Sequence, residues 1–435
     1  MEGQQVKWTT TTMETAQWFV FMLASSVALP IVIGAIFDMS LIEISGLMQR
    51  SFFIIGIASV LQGLFGHRLP IMEGPAGIWI SIFSVMALTS SQRGETLKET
   101  LQVLEAIMIL TGIFLFIFGV FKLAQKILPV FTPLVTGTFF FLLTVQLSGI
   151  FLKGMLGLQQ GSESIQLIDS LLAFMTFIIV LGLSIFAKGW LRNYGVLIGI
   201  MVGWISFVLV KDGAKSDATV PIVSFPEWFA FGMPQFDISI IPIAFVTSIV
   251  LLSNLVASVV AVSQSIYDKP RYNQQQINRG SIFSGINHGL TGMFSALANV
   301  PLATPAGFIK LTGQKRKMPF IYASLVLIGI AFFPPIVSFI STIPAPIANA
   351  TLMATFVQLV GLAINNVTIE PLDSRKVTIV GVSYLFGIST MFLPVEVFSE
   401  LPAVVQNLAS NGLLIGTALV ITLEQLWKVD ESSSR

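Results

Sequence analysis

Cysteine is absent from all 435 residues, which removes disulfides, thiolate nucleophiles and cysteine-held metal from consideration. Histidine is almost absent, and His67 and His288 are too few and too scattered for a histidine-rich metal cluster. Charge is scarce as well. Asp, Glu, Lys and Arg make up 10% of the chain, against about a quarter in an ordinary soluble domain. A net charge of +1 gives no electrostatic footprint for a nucleic-acid partner. Residues 1–15 lack the basic stretch and cleavage site of a secretory signal. The sequence has no His-Glu-x-x-His, no Gly-x-Ser-x-Gly and no aspartate pair at catalytic spacing in its apolar runs. A membrane-embedded enzyme is therefore disfavoured, and no cofactor is expected.

What the chain has in abundance is apolar sequence, 54% of its residues with a mean hydropathy of +0.86. That balance belongs to a polytopic protein whose main partner is the lipid bilayer. Runs of spanning length fall at 16–37, 50–65, 69–89, 103–121, 127–152, 168–187 and 193–210. A second set falls at 238–266, 281–299, 300–311, 318–341, 346–366, 377–395 and 403–427. Between them lies a polar, then aromatic and proline-containing linker around 211–237, expected on the membrane surface. With the N-terminus inside, seventeen Lys and Arg fall on inner loops and six on outer loops and span edges, a clear positive-inside bias. Both termini are thus expected in the cytoplasm, with the chain integral to the plasma membrane. Seven spans per half force the second half to begin on the opposite side. The expected fold class is an all-α polytopic membrane protein with fourteen segments in a seven-plus-seven inverted repeat, the layout of alternating-access carriers.

Two stretches break this pattern in matching ways. They read Leu69-Pro70-Ile71-Met72-Glu73-Gly74-Pro75-Ala76-Gly77-Ile78 and Val300-Pro301-Leu302-Ala303-Thr304-Pro305-Ala306-Gly307-Phe308-Ile309. Each carries two prolines, the second opening a Pro-Ala-Gly triplet. Proline lacks an amide donor and clashes with the preceding turn, so neither stretch suits a continuous helix. Residues 300–311 would reach about 18 Å as a helix, against a bilayer core of about 30 Å. Extended over its first half, the same segment reaches about 29 Å. A short strand running into a half-helix is expected there. Its counterpart is a strand at about 69–74 followed by a helix from about Pro75. The strands could pair with each other, and the half-helix N-termini would offer free amides to an anionic or carbonyl-bearing solute. Gly77 and Gly307 leave backbone open to a ligand. Prolines that merely kink two ordinary helices are the alternative, which the matched pair disfavours.

Other residues extend the pattern. Gln17 stands thirteen residues before Pro30, and Leu61-Gln62-Gly63 precedes Gly66-His67-Arg68-Leu69-Pro70 and Gly74. Thr132-Pro133-Leu134-Val135-Thr136-Gly137 opens span 5, Asn299-Val300-Pro301 with Thr304 opens span 10, and Leu401-Pro402, Gly412 and Gly416 mark span 14. In order and spacing these resemble the nucleobase–ascorbate transporter family, also described as xanthine/uracil permeases, over essentially the whole chain. The resemblance implies a core domain of spans 1–4 and 8–11 and a gate domain of spans 5–7 and 12–14. On this chain that division runs 1–122 (core), 123–212 (gate), 213–237 (extracytoplasmic linker), 238–342 (core) and 343–435 (gate and cytoplasmic tail). It also implies a small nucleobase-like solute between spans 1, 3, 8 and 10, beside Ser25, Ala76, Gly77, Asn254, Ser258, Ala306, Gly307 and Phe308. Homodimers are common in the family, as is coupling to protons or sodium.

The solute-reading positions depart from the family. Its usual span 8 acid, with a polar or histidine residue one turn later, is replaced within Ser253-Asn254-Leu255-Val256-Ala257-Ser258 by Asn254 and Ser258. Its span 10 acid and Asn fall on Gly307 and Phe308, its first-span His on Trp18, and its third-span aromatic on Gly77. Asn254 and Ser258 share one helical face, fit either for a heterocycle's edge or for interhelical hydrogen bonds. Glu73 is the carboxylate inside the broken segments; it is either a protonatable coupling group or a partner of Arg68 near the interface. Ser25 could face solute or bond its own helix. His288 could titrate near neutral pH or pack in the core. Glu105 and Glu424 read as interfacial, Asp373 and Arg375 as a surface ion pair, and Phe139-Phe140-Phe141 as lipid-facing. The expected activity is secondary active transport of a planar heterocycle such as xanthine, urate or uracil. An anion carrier of the same fold, for sulfate or a small organic anion, is the rival.

Overall fold

The computed structural model describes residues 2–427 apart from 124, 125, 127, 131, 159–163, 212–219, 268–272, 399, 402–404 and 406–408. Part of the expected linker, Pro402 of the last motif and the tail from 428 therefore lie outside the described residues. In lipid every backbone group must be satisfied within the protein, which favours helix throughout. The first half forms α1 (Glu2–Ile36), α2 (Leu41–Leu64), α3 (Gly77–Arg93), α4 (Leu97–Val120), α5 (Pro133–Met155), α6 (Leu167–Phe186), α7 (Trp190–Asn193) and α8 (Gly195–Val210). The second forms α9 (Ile241–Tyr267), α10 (Gln274–Met293), α11 (Thr304–Thr312), α12 (Lys317–Ala331), α13 (Pro334–Ser341), α14 (Ala345–Val367), α15 (Ser374–Met391) and α16 (Gly412–Leu426). Two short strands, β1 (Glu73–Pro75) and β2 (Asn299–Pro301), interrupt the helices.

Among the described residues, seven helices are long and apolar enough to cross a bilayer: α1, α2, α4, α5, α6, α9 and α14. An eighth crossing is available if α12 and α13 count as one, but they meet at a 92° bend. The expected continuous run at 318–341 is thus two helices. Pro334 and Pro335 lie in the first turn of α13, where missing amide donors cost nothing but the preceding helix cannot continue. Helices α2 and α4 open on capping boxes, Ser40 with Glu43 and Thr96 with Glu99, so polar residues mark where apolar runs begin.

The halves interleave by one rule. Helix α4 packs on α10 and α2 on α12, α1 packs on α12 and α9 on α4, and α6 packs on α8 and α15 on α16. In each case the second contact is the first with the halves exchanged. The contacts of α5 with α14 and of β1 with β2 are their own counterparts, as a two-fold axis between the strands requires. Close approach at these contacts comes from glycine. A Cβ on Gly285 would lie 2.5 Å from the Gly112 carbonyl oxygen, and one on Gly56 2.8 Å from that of Ser324. Such small-residue contacts hold helices together where lipid offers no hydrophobic drive.

The strands run antiparallel, with Glu73 opposite Pro301, Gly74 opposite Val300 and Pro75 opposite Asn299. Leu302 N–H donates to the Met72 carbonyl at 2.9 Å. Because hydrogen-bonded rungs alternate, Gly74–Val300 is the next bonded rung, and Pro75 and Pro301 occupy rungs whose backbone groups point outward. Their missing donors cost the ladder nothing. Pro75 accordingly ends the strand, the strand sits at 73–75 instead of 69–74, and helix begins at Gly77 instead of Pro75. Pro305 does lie in the first turn of α11. Pro75 and Pro301 each hold the last place of their strand, so the counterpart of Pro75 is Pro301 and not Pro305, and the two Pro-Ala-Gly triplets are not equivalent in space.

Residues 220–237 lie across the ends of α2, α4, α10 and α12. Gln49 Nε2 donates to the Ser224 hydroxyl at 3.0 Å and to the Ala331 carbonyl at 2.8 Å. Phe229 N–H donates to the Met293 carbonyl and Gln102 Nε2 to the Phe231 carbonyl, while Trp228 packs at a tilt against Phe294, ring centroids 4.3 Å apart.

Candidate functional site

The paired strands and the first turns of α3 and α11 form the centre of the site. Helix α1 flanks β1 and α3, and α9 flanks β2 and α11, so Ser25 and Asn254 belong to equivalent walls. On α9 the Asn254 Nδ2 and the Ser258 hydroxyl both donate to the Pro301 carbonyl, at 2.9 and 2.8 Å. That carbonyl is on an outward rung, and two lone pairs take two donors. Asn254 is half-buried, and among the described residues its amide oxygen accepts no hydrogen bond, leaving a donor and an acceptor side by side. Ser25 donates to the Phe21 carbonyl at 2.9 Å, keeping its oxygen lone pairs as acceptors.

Ala76 and Gly77 are half-buried. A Cβ on Gly77 would lie 2.8 Å from Phe356 Cζ and 3.5 Å from Leu143 Cδ2, so this backbone faces α14 and α5. Ala306 is half-buried and Gly307 exposed; a Cβ on Gly307 would meet nothing within 4 Å. Phe308 instead is buried in an aromatic cluster, its ring 4.5 Å from Trp18 and 4.8 Å from Phe21.

Glu73 is neither paired with Arg68 nor near the surface. It is fully buried, and Arg68 is exposed with φ +62°. Glu73 N–H donates to Ser59 Oγ at 3.1 Å, and Oε1 stands 3.6 Å from Nε2 of the equally buried His67. Leu69 N–H donates to His67 Nδ1 at 3.1 Å. Gln62 Nε2 ties this corner to α10 through the Gly280 carbonyl and the Ser284 hydroxyl, both at 2.9 Å. His67 escaped the sequence reading, although it stands six residues before the one carboxylate of the motif.

The other histidine is a packing residue. Trp79 Nε1–H donates to His288 Nε2 at 3.3 Å, and His288 Nδ1 lies 2.8 Å from the Ser284 carbonyl. Indole only donates and a carbonyl only accepts, so the ring proton is on Nδ1 and both nitrogens are used. Glu105 is fully buried instead of interfacial, taking a hydrogen bond from the Ser295 hydroxyl, while Arg50 Nε donates to the Ser295 carbonyl at 3.0 Å. Asp373 caps α15 through Lys376 N–H, and Arg375 reaches the Glu424 and Trp427 carbonyls, so they form no ion pair with each other. Glu424 is bound by the Thr132 hydroxyl at 2.6 Å. Phe139 is buried, not lipid-facing.

Two helical halves packed by exchange around a pair of interrupted segments define a membrane-transport fold. The transmembrane domain of the cyanobacterial bicarbonate transporter BicA superposes with a TM-score of 0.64 at 14% identity, covering 94% of this chain and 97% of that one. Murine Solute Carrier 26 family member A9, an anion transporter, gives 0.61 at 12% identity, covering 96% and 67%. In sequence, residues 10–396 match the Permease family, and the chain belongs to it. Among the proteins it is similar to are several from Bacillus subtilis. "Putative purine permease YwdJ" is 30% identical over 427 residues, with 96% of each chain covered. "Uric acid permease PucJ" is 25% identical, covering 94% and 90%, and "Xanthine permease" 23%, covering 95% and 92%. The chain is thus an integral membrane protein of a transporter family.

Proposed function

We propose that this protein is a secondary active transporter that carries a purine nucleobase of the xanthine or urate type across the plasma membrane, coupled to a proton or sodium ion. The observation that carries the reading is the antiparallel pairing of two interrupted segments, one from each half, with Asn254 and Ser258 fixed on the shared ribbon. A nucleobase edge alternates donors and acceptors, and the Asn254 amide offers one of each. The open backbone at Gly307, the half-buried Ala76, Gly77 and Ala306, and the Ser25 oxygen complete the polar surround. Phe308 supports this wall from behind through Trp18 and Phe21. Glu73 is the candidate coupling group.

The chain makes fourteen crossings with both termini in the cytoplasm. Spans 3 and 10 are β1 with α3 and β2 with α11, and span 11 is the bent pair α12–α13. Helices α1–α4 and α9–α13 form the body that carries solute, and α5–α8 and α14–α16 the body it slides against, an elevator-like cycle. Relatives named for xanthine, urate and purines favour a nucleobase over the anions carried by the fold's structural neighbours.

The test is uptake of radiolabelled uracil, xanthine, hypoxanthine, urate and sulfate into proteoliposomes, at two pH values, with and without sodium. Accumulation of xanthine or urate above protein-free vesicles supports the reading. Uptake of sulfate with none of the nucleobases would overturn it.

A further inference from the structure

We propose that His67 and Glu73 form a proton-binding site behind strand β1, and that this site excludes sodium as the coupling ion. The inference rests on the transport reading for its coupling but not for the site itself.

The site is defined by which atoms hold hydrogen. Leu69 N–H can only donate, so His67 Nδ1 is an acceptor and the neutral ring carries its hydrogen on Nε2. Nε2 is the atom that stands 3.6 Å from Glu73 Oε1. Both side chains are fully buried, and among the described residues neither carboxyl oxygen has a hydrogen-bond partner. A sodium ion needs oxygen ligands on every side, whereas this carboxyl is met on one side by an N–H group. A proton needs only the carboxylate. With the proton on, the pair is two neutral groups; with it off, the site holds one negative charge where charge is costly. The second proton cannot go to His67 without breaking the Leu69 bond, so the proton is taken up at Glu73.

Few other ionisable groups face the pair. Lys317, at the start of α12, acts on His67 by its charge. Arg68 is exposed. The facing residues of α2 are Ser59 and Gln62, and β2 places Pro301 opposite Glu73. Helix α1 has no acid or base after Glu14 and α9 none before Tyr267, while α10 brings Arg279 and His288, the latter engaged with Trp79.

The connection to solute is one rung long. Glu73 sits directly opposite Pro301, whose carbonyl holds Asn254 and Ser258 in place. Charging Glu73 shifts the balance between arrangements of β1, and β2 shares that ladder.

Infrared difference spectroscopy of the reconstituted full chain, taken between alkaline and acid buffer, reads the site without solute. The expected result is a protonated-carboxyl band that grows on acidification, is lost in Glu73→Gln, moves in His67→Gln, and persists when sodium replaces choline. Persistence of the whole band in Glu73→Gln, or its suppression by sodium, would overturn the proposal. If Glu73→Gln does not fold, an unmoved band in a folded His67→Gln overturns the pairing. Wild-type xanthine uptake that requires sodium would also overturn it, whereas absence of all nucleobase uptake with the titrating band intact would overturn only the transport reading.

Discussion

Replacing Gly285 with alanine places a methyl carbon 2.5 Å from the Gly112 carbonyl oxygen and 2.6 Å from the Phe116 nitrogen. Both are backbone atoms of α4, so no rotamer change relieves the clash. Ordinary contact begins at 3.4 Å, and α4 and α10 must separate by about 1 Å, an overpacking that costs about 1–3 kcal/mol. Gly289, one turn along the same helix, provides the control, because a Cβ there meets nothing within 4 Å. Both substitutions gain the same helix propensity, up to about 1 kcal/mol. The difference between the variants therefore isolates the steric cost, with Gly289→Ala the more stable by about 1–3 kcal/mol. Denaturant unfolding of both proteins in one detergent, followed by circular dichroism, measures it. Equal midpoints, or a more stable Gly285→Ala, would refute the backbone-to-backbone contact between α4 and α10.

Asn254→Ala and Ser258→Ala each remove one of two donors to the Pro301 carbonyl and should each cost about 0.5–1.5 kcal/mol. The double variant orphans that carbonyl and should lose more than the sum, a coupling that a double-mutant cycle on xanthine affinity reads directly. Trp79→Phe leaves His288 Nε2 buried without its donor, and thermal unfolding should register a loss of about 1–3 kcal/mol; an unchanged melting profile would put the ring proton on the wrong nitrogen. Asp237, outside the spans, accepts hydrogen bonds from Ser239, which hold its carboxyl below the usual 3.8. A carboxyl depressed on folding contributes stability that is present above that value and lost as pH falls through the lower, folded one. Asp237→Asn should therefore flatten the stability profile only on the acid side of pH 3.8, and a change of slope near neutrality would contradict the assignment.

Apolar runs and proline placement made the helical architecture and the two interruptions legible in the sequence, since both are local properties of the chain. The register of the ribbon was not. Matching Pro-Ala-Gly triplets suggested that Pro75 and Pro305 are equivalent, whereas the ladder makes Pro75 the counterpart of Pro301, each the last residue of its strand and each on a rung without hydrogen bonds, facing Asn299 and Glu73 respectively. Asn254 and Ser258 were readable as one face of a helix, but their common target, a main-chain carbonyl 43 residues beyond Ser258, leaves no side-chain signature. Glu105 reads as interfacial because it is a lone charge near the end of an apolar run, and Arg50, at the start of one, is no more informative. Their burial depends on Ser295, which lies far away in the chain. His67 was hidden for a similar reason: a turn, not a helical period, brings it back onto Glu73.

Residues 220–237, between the two halves, are anchored by Gln49, Gln102 and Met293, all on helices of the body assigned to carry solute. In the elevator-like cycle proposed above the segment would ride as a passenger of that body. A nanobody gripping Trp228 and its surroundings would then seize the travelling part from outside, reporting its position or arresting it without entering the solute path.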